Sequence, residues 1–276
     1  MAERICQVQF STPDRLLTVD GLRVEFDVKR QDDGEPAEGT VTVWNLSRDH
    51  RALLRSAKRV TLMPQGEVLF DADVERYTET YAGQDIGFAV HARDGSKALQ
   101  TYVGRSYAGG LPVTAATILT DTLGACGITD STVLVDLPGL VYRRGKMLYG
   151  EAWRIIDTIA RSLGAYWEVQ DGKLFMWPRG TALQTFVHLD AATGLVGTPE
   201  RIDDNEELRR ANPDTSRTRV NTYRVRMLLA PRVRPGAVLE VVSRSVTGTL
   251  RVRSVRAYGD TRGNDWYTEA EAELAA

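Results

Sequence analysis

The sequence predicts a β-rich α+β protein: two small β-barrel-like domains with a small α+β unit inserted between them. Three observations predict it. Residues 22–30, LRVEFDVKR, alternate apolar and polar without a break, the signature of a half-buried antiparallel strand. Residues 149–164, YGEAWRIIDTIARSLG, switch to a helical period. From residue 185 onward short alternating segments return, separated by turn residues. The corresponding division is 1–100 for the first barrel, 101–184 for the insert and 185–276 for the second barrel, with 185–195 as an alternative return to the first.

In the first block, Leu22, Val24, Phe26 and Val28 face one way, and Arg23, Glu25, Asp27 and Lys29 the other. QDDGEPAEG (31–39) is a polar turn leading to a second alternating strand, TVTVWNL (40–46). NLSRDHRALLRSAK (45–58) changes period; Ser47 suits a helix N-cap, with Leu53 and Leu54 inward. Strands resume at 59–63, 67–81 and 85–93.

The insert opens with VTAATILTDTLGAC (113–126), a helix with Ala116, Ile118, Leu119, Leu123 and Cys126 on one face, stopped by Gly127. The helix over 149–164 places Trp153, Ile156, Ile159, Ala160 and Leu163 inward, with Gly164 as C-cap. AYWEVQDGKLFMWP (165–178) follows as a hairpin around Asp171–Gly172. The last block reads as strands over 185–189, 194–203, 220–229, 237–243, 248–260 and 266–274, and DNEELRRANPDTSRTR (204–219) as an exposed, flexible loop. No internal repeat shows in the letters.

With 276 residues the chain is long enough for about two domains, and 42% hydrophobic with 26% charged residues is a globular composition. The net charge is −2, unevenly spread: residues 1–100 carry 13 basic and 17 acidic side chains, residues 201–276 carry 14 basic and 11 acidic, and every one of those 14 is Arg. Arginine without lysine favours fixed, bidentate contacts with carboxylates or phosphates. The excess is too small for a dedicated nucleic-acid domain. The opening MAERICQVQF has no signal-peptide core, and no run approaches the ~18 apolar residues of a membrane span. The expectation is a chain made in a cytoplasm, soluble, without a membrane role.

Catalytic chemistry finds little purchase. His50, His91 and His188 are far apart, none with a second ligand at metal spacing. Cys6 and Cys126 read as reduced thiols. GxSxG, GxGxxG and a phosphate loop are missing; Gly109–Gly110 leads to no Lys-Ser/Thr. Asp71, Asp73 and Glu75 alternate along one strand, which is the geometry of a cation site or an acid–base pair but also of an ordinary charged face, the reading adopted. Trp167 and Trp177, on paired strands, read as core packing rather than a stacking platform. No catalytic residue, metal or cofactor is expected.

The order of segments resembles phage tail hub proteins. LTVDGLRVEFDVKR, a polar turn and GTVTVWNLSRDHRALL are similar to the opening of such hubs, and EVLFDADVERY is similar to the strand that follows. GLVGTPERID and RVRMLLAPRVRPGAVLEVVS resemble the second barrel, with an L-x-P-x-x-x-P-G corner between strands. The resemblance runs from residue 17 to about 258 and rests on the order of loose motifs. It implies a virion protein of the tail baseplate: a homotrimeric ring whose chains each contribute two barrels, joining the tail tube or distal tail protein to the central spike, with the tape measure protein as a further partner and phage DNA passing only in transit. Arg23, Glu25, Asp27, Lys29, Arg224, Arg226, Arg232 and Arg234 are then candidate inter-subunit contacts, an acidic block of one copy meeting a basic block of the next. The alternatives are another tail ring (distal tail or tube-end protein), a tail-associated cell-wall hydrolase, or a nucleic-acid-binding barrel.

Overall fold

Alternation in the letters becomes alternation in burial. In the strand Val24–Gln31, Val24, Phe26, Val28 and Arg30 are buried, while Glu25, Asp27 and Lys29 face solvent. The computed structural model describes residues 4–31, 36–94, 96–107, 111–128, 133–134, 137, 139–170, 173–178, 186–202 and 222–274. The 204–219 loop, residues 32–35 of the first polar turn, the Asp171–Gly172 turn and Gly109–Gly110 lie outside these residues.

The first block comprises β1 (Cys6–Ser11), β2 (Leu16–Val19), β3 (Val24–Gln31), β4 (Glu38–Trp44), α1 (Arg48–Leu54), β5 (Arg59–Pro64), β6 (Phe70–Ala82) and β7 (Asp85–Arg93). β1 and β2 are strands the sequence reading did not assign, although Cys6, Val8 and Phe10 alternate inward. Ser47 caps α1 as expected, its Oγ accepting from the His50 amide at 3.2 Å. Leu54 is buried and Leu53 only half-buried. Phe10, Phe70 and Phe88 are fully buried in this core, each contributing about 1.5–3 kcal/mol of apolar burial.

The insert comprises α2 (Ser96–Leu99), β8 (Tyr102–Tyr107), β9 (Val113–Thr114), α3 (Ala115–Ala125), β10 (Val133–Leu134), β11 (Val141–Tyr142), β12 (Lys146–Glu151), α4 (Ala152–Leu163), β13 (Ala165–Gln170) and β14 (Lys173–Pro178). Ile118, Leu119 and Leu123 of α3 and Ile156, Ile159 and Ala160 of α4 are buried as expected, and the differences lie in the first turn of each helix. In α3 the buried residue is Ala115, not Ala116, because the helix starts at a Thr114 cap and its first amide is tied to the Leu140 carbonyl. In α4 the buried stripe is Ala152, Ile155, Ile156, Ile159 and Ala160. The Ala152 amide bonds the Thr101 carbonyl, Trp153 is 39% exposed and Leu163 is half-buried. Gly164 ends α4 at φ 63°, a left-handed conformation that glycine adopts without strain. Tyr149 to Glu151, expected in the helix, are strand. Trp167 and Trp177 are buried.

The last block comprises β15 (Phe186–Leu189), β16 (Glu200–Ile202), β17 (Thr222–Leu228), β18 (Val238–Val242), β19 (Thr247–Asp260) and β20 (Trp266–Leu274). Of the strand expected over 194–203, the described residues show β16 and a single bridge between Leu195 and Met227, after a turn in which Asp190 accepts from the Ala192 and Thr193 amides.

The result is a β-rich α+β fold, as the sequence predicts, and the described residues form three hydrophobic cores, each drawn mainly from one block. The two β-rich blocks are hydrogen-bonded into one 13-stranded sheet in the order β16-β17-β20-β19-β3-β4-β7-β6-β5-β1-β2, with β15 and β18 branching from β19. The join is the antiparallel pair β3–β19, from Glu25 opposite Asp260 to Gln31 opposite Ser254. Ala257 and Trp266 of the last block pack into the first core. The insert's β13–β14 hairpin keeps its own small sheet with β10, and Arg251 of β19 stacks on Tyr166 of β13 at 4.7 Å.

Candidate assembly interface

Antiparallel register decides which charges meet. Residues directly opposite one another share a sheet face. Across the solvent face, Arg226 lies opposite Glu269, Glu269 opposite Arg256, Arg256 opposite Lys29, Lys29 opposite Glu38, Glu38 opposite Arg93, Arg93 opposite Asp73, and Asp73 opposite Arg59. One belt of mostly alternating charge therefore crosses eight strands and both β-rich blocks. Opposite charges in such pairs contribute roughly 0.2–1 kcal/mol each.

Most of the residues expected at subunit contacts find a partner inside the chain. Arg23 clasps Asp260 with two bonds, 3.2 and 2.9 Å, and also pairs with Glu25. Asp27 accepts from Arg256 Nε at 3.0 Å and Nη2 at 2.6 Å. Arg224 meets Glu271 at 3.4 Å; Arg226 meets Glu269 at 3.6 Å and lies 4.0 Å over the Tyr267 ring. Arg232, in the Pro-rich corner, holds Glu67 of the first block at 2.6 Å. Lys29 is exposed and lines an open groove, and Arg234 is half-buried in the corner. Within the chain, Arg256 of the last block holds Asp27 of the first and Arg23 of the first holds Asp260 of the last, so ion pairs of both senses cross the β3–β19 join. Alternation told which way these side chains point; it carried no information on which strand lies alongside.

The groove, about 430 Å³, lies over β3, β4, β6 and β7 and is lined by Asp27, Lys29, Thr40, Arg76, His91 and Arg93 among others. His91 shares both ring nitrogens with hydroxyls, Thr40 at 3.0 Å and Thr78 at 3.3 Å. Burial and then the Arg76 charge hold it below the usual histidine range, so it is neutral at pH 7. The Asp71–Asp73–Glu75 series does not converge as a site. Arg59 pairs with Asp71 at 2.8 Å and with Asp73 at 3.5 Å, and a bulge between Val74 and Arg76 takes Glu75 out of the alternation. His188 bonds Glu240 at 3.2 Å and lies 3.5 Å from Asp190. Among the described residues no three metal-ligating side chains gather. Burial, then the Asp20 charge, pushes the Cys6 thiol up to about 12, a poor nucleophile. Among the described residues no helix is long and apolar enough to cross a membrane.

Two contacts escaped sequence reasoning. Arg4 donates to the carbonyls of Asp260, Gly263, Asn264 and Asp265 and stacks 5.5 Å from the Trp266 ring, fastening the chain start to the β19–β20 turn. Arg251 is buried against Glu273 and Tyr166, fastening the insert. No local pattern marks either residue, since both partners are distant in sequence.

No family model matches the sequence, and no curated protein does. Solved structures do. The chain superposes on the 43 kDa tail protein of prophage MuSo2 from Shewanella oneidensis with a TM-score of 0.68, 10% identity and 98% of each chain covered. A tail protein from Neisseria meningitidis MC58 gives 0.65 at 11% identity, over 98% of this chain and 96% of that one. The E. coli c3393 protein, a component of the type VI secretion system with structural similarity to T4 tail proteins gp27 and gp5, gives 0.63 at 9% identity, over 92% of this chain and 73% of that one. The fold is that of phage tail proteins, end to end.

Proposed function

We propose that the chain is a structural component of a phage tail baseplate, three copies of which form a hub ring that joins the tail tube to the central spike and lines the DNA channel. The observation that carries this is the match of fold over nearly the whole of both chains, insert included, to tail proteins of similar extent. The division into 1–100, 101–184 and 185–276 belongs to the same proposal and is supported by three cores that follow these blocks apart from Leu99 in the second and Leu229, Ala257 and Trp266 in the first. The role is architectural, in the virion, with spike and tube proteins as partners.

Subunit contacts fall on the solvent face of the sheet, where Arg23, Glu25, Asp27, Lys29, Arg224, Arg226, Arg232 and Arg234 belong to the two β-rich blocks. Several of their pairs are substantially exposed, Arg224 at 50% and Arg232 at 79% of the side chain. Exposed pairs are worth only about 0–1 kcal/mol, so they exchange partners readily when a second copy arrives. A heterologous contact repeated by a three-fold rotation closes a ring.

The test is the mass and symmetry of the purified full chain, by mass photometry and electron microscopy, alone and with tube and spike components. Three copies in a closed ring uphold the proposal. Six copies assign the chain to a distal-tail or tube-end ring, and a chain that stays single and joins no tail component ends it. The likeness to c3393 favours a second reading, a ring of a contractile secretion apparatus. Mass spectrometry of purified virions separates the two, since only a tail protein is recovered with packaged DNA.

A further inference from the structure

We propose that the solvent face of the β8–β12 ribbon docks an acidic, strand-forming segment of a partner protein. This goes beyond the ring reading and does not depend on it. β8 pairs with β12 from Tyr102 opposite Glu151 to Tyr107 opposite Lys146, and these two strands form a sheet of their own. Among the described residues neither pairs with a third strand, so each edge has unclaimed positions for one. A two-stranded ribbon is marginal in water, and a bare edge is a template for another strand.

The face beside those edges is apolar. Tyr102 is 58% exposed, Met147 78% and Tyr149 77%, and the two tyrosine rings meet edge to face at 4.8 Å. Trp153 follows at the start of α4, partly exposed. Tyrosine, tryptophan and methionine are the residues enriched where interfaces bury their centres, and a cluster of them left in water marks such a surface. No comparable cluster lies on the charged belt, whose side chains are largely paired with one another.

Charge identifies the partner. Arg143 and Arg144 occupy the turn entering β12, are exposed, and have no ion-pair partner among the described residues. Lys146 next to them stacks 3.9 Å over the Tyr142 ring without a carboxylate. At the other end of the ribbon Arg154 is already held by Glu151 at 3.1 Å. An apolar strip with unpaired cations at one end fits a segment with apolar residues on one face and carboxylates towards that end, added to an edge of the ribbon as an extra strand.

The experiment titrates the full chain, by fluorescence anisotropy, against labelled strand-length peptides: alternating Glu and Val, alternating Lys and Val, and the Glu–Val peptide broken by prolines. A labelled thymidine oligonucleotide is the nucleic-acid arm, and sedimentation velocity records self-association. The Glu–Val peptide binds; the Lys–Val and proline-broken peptides do not. Tyr149→Ser and the pair Arg143→Glu, Arg144→Glu each weaken binding by about tenfold or more, as loss of an anchor or of charge complementarity does. Their melting temperatures stay at the wild-type value because the positions are exposed; Met147→Ser replaces Tyr149→Ser if that variant fails to fold. No binding of the Glu–Val peptide, equal binding of the Lys–Val peptide, or unchanged affinity in the variants overturns the proposal. Tighter binding of the oligonucleotide overturns it in favour of nucleic acid, and loss of self-association in the ribbon variants assigns the face to a second copy. Copy number of the wild type is read in the same run, so failure of the ring reading and failure of this one are distinguished.

Discussion

A glycine can fix the distance between two strands. Gly259 of β19 lies opposite Phe26 on one side and Trp266 on the other. A Cβ built there comes within 2.7 Å of both rings, which meet edge to face at 5.4 Å. The strands approach as they do because nothing stands between those rings. Gly259→Ala is therefore expected to destabilise by about 1–3 kcal/mol through overpacking, a fall of several degrees in Tm for a chain of this size. Gly124, exposed on α3 with nothing within 4 Å of its Cβ position, sets the opposite sign: Gly124→Ala raises stability by up to about 1 kcal/mol through helix propensity. Calorimetric melts of both variants check the pair; equal effects contradict the argument.

At the scale of elements, legibility followed locality. The Ser47 cap, the αL stop at Gly164 and the inward residues of β3 were readable because each depends on neighbours within a turn or a strand. The faces of α3 and α4 follow their period except in the first turns, where Ala115 and Ala152 are buried in place of Ala116 and Trp153; the carbonyls of Leu140 and Thr101 that hold those two amides leave no mark in either helix's own period. The two-residue strands β9, β10 and β11 are too short for any alternation. Alternation shows which way Arg23, Glu25, Asp27, Lys29, Arg224 and Arg226 point, but the partners Asp260, Glu269 and Glu271 leave no trace there, since register between distant strands leaves no mark in either one. Arg251 shows what such a distant contact holds. It is 2% exposed, paired with Glu273 and stacked under Tyr166, and so ties the insert to the last β-rich block. Arg251→Ala leaves Glu273 without its cation and Tyr166 without its stack, at a cost of about 2–3 kcal/mol, reduced from the fully buried case because Glu273 is partly exposed. Hydrogen exchange should quicken over β13 and the facing part of β19 while α3 and α4 keep their protection. Uniform acceleration across all three blocks would show that Arg251 stabilises the whole chain instead of docking the insert.

At the scale of the molecule, one sheet passing through both β-rich blocks makes their stability a shared property, and the join is where it is tested. Only β3 and β19 connect the two halves of the sheet order, and charge reinforces them at one end through Arg23 and Asp260. Burial pushes the Asp260 carboxyl up, but the Arg23 bond, the Arg262 amide and the Arg23 charge outweigh it and leave the group below the usual aspartate range. A carboxylate whose folded pKa is depressed stabilises the fold above its unfolded pKa, roughly 3.9, and loses that contribution as pH falls through the folded value. The join is thus strongest near neutrality and loosens in acid. Asp260→Asn, which keeps the shape and removes the charge, is expected to lower stability by about 1 kcal/mol at pH 7 and by progressively less as pH falls below the aspartate range, where the wild-type carboxyl is itself protonated. Urea unfolding of wild type and variant at pH 7 and pH 3 reads this as two midpoints that are separate at neutrality and converge in acid. A gap that persists undiminished at pH 3 assigns Asp260 a shape role in the β19–β20 turn and removes charge from the account of how the two halves are held.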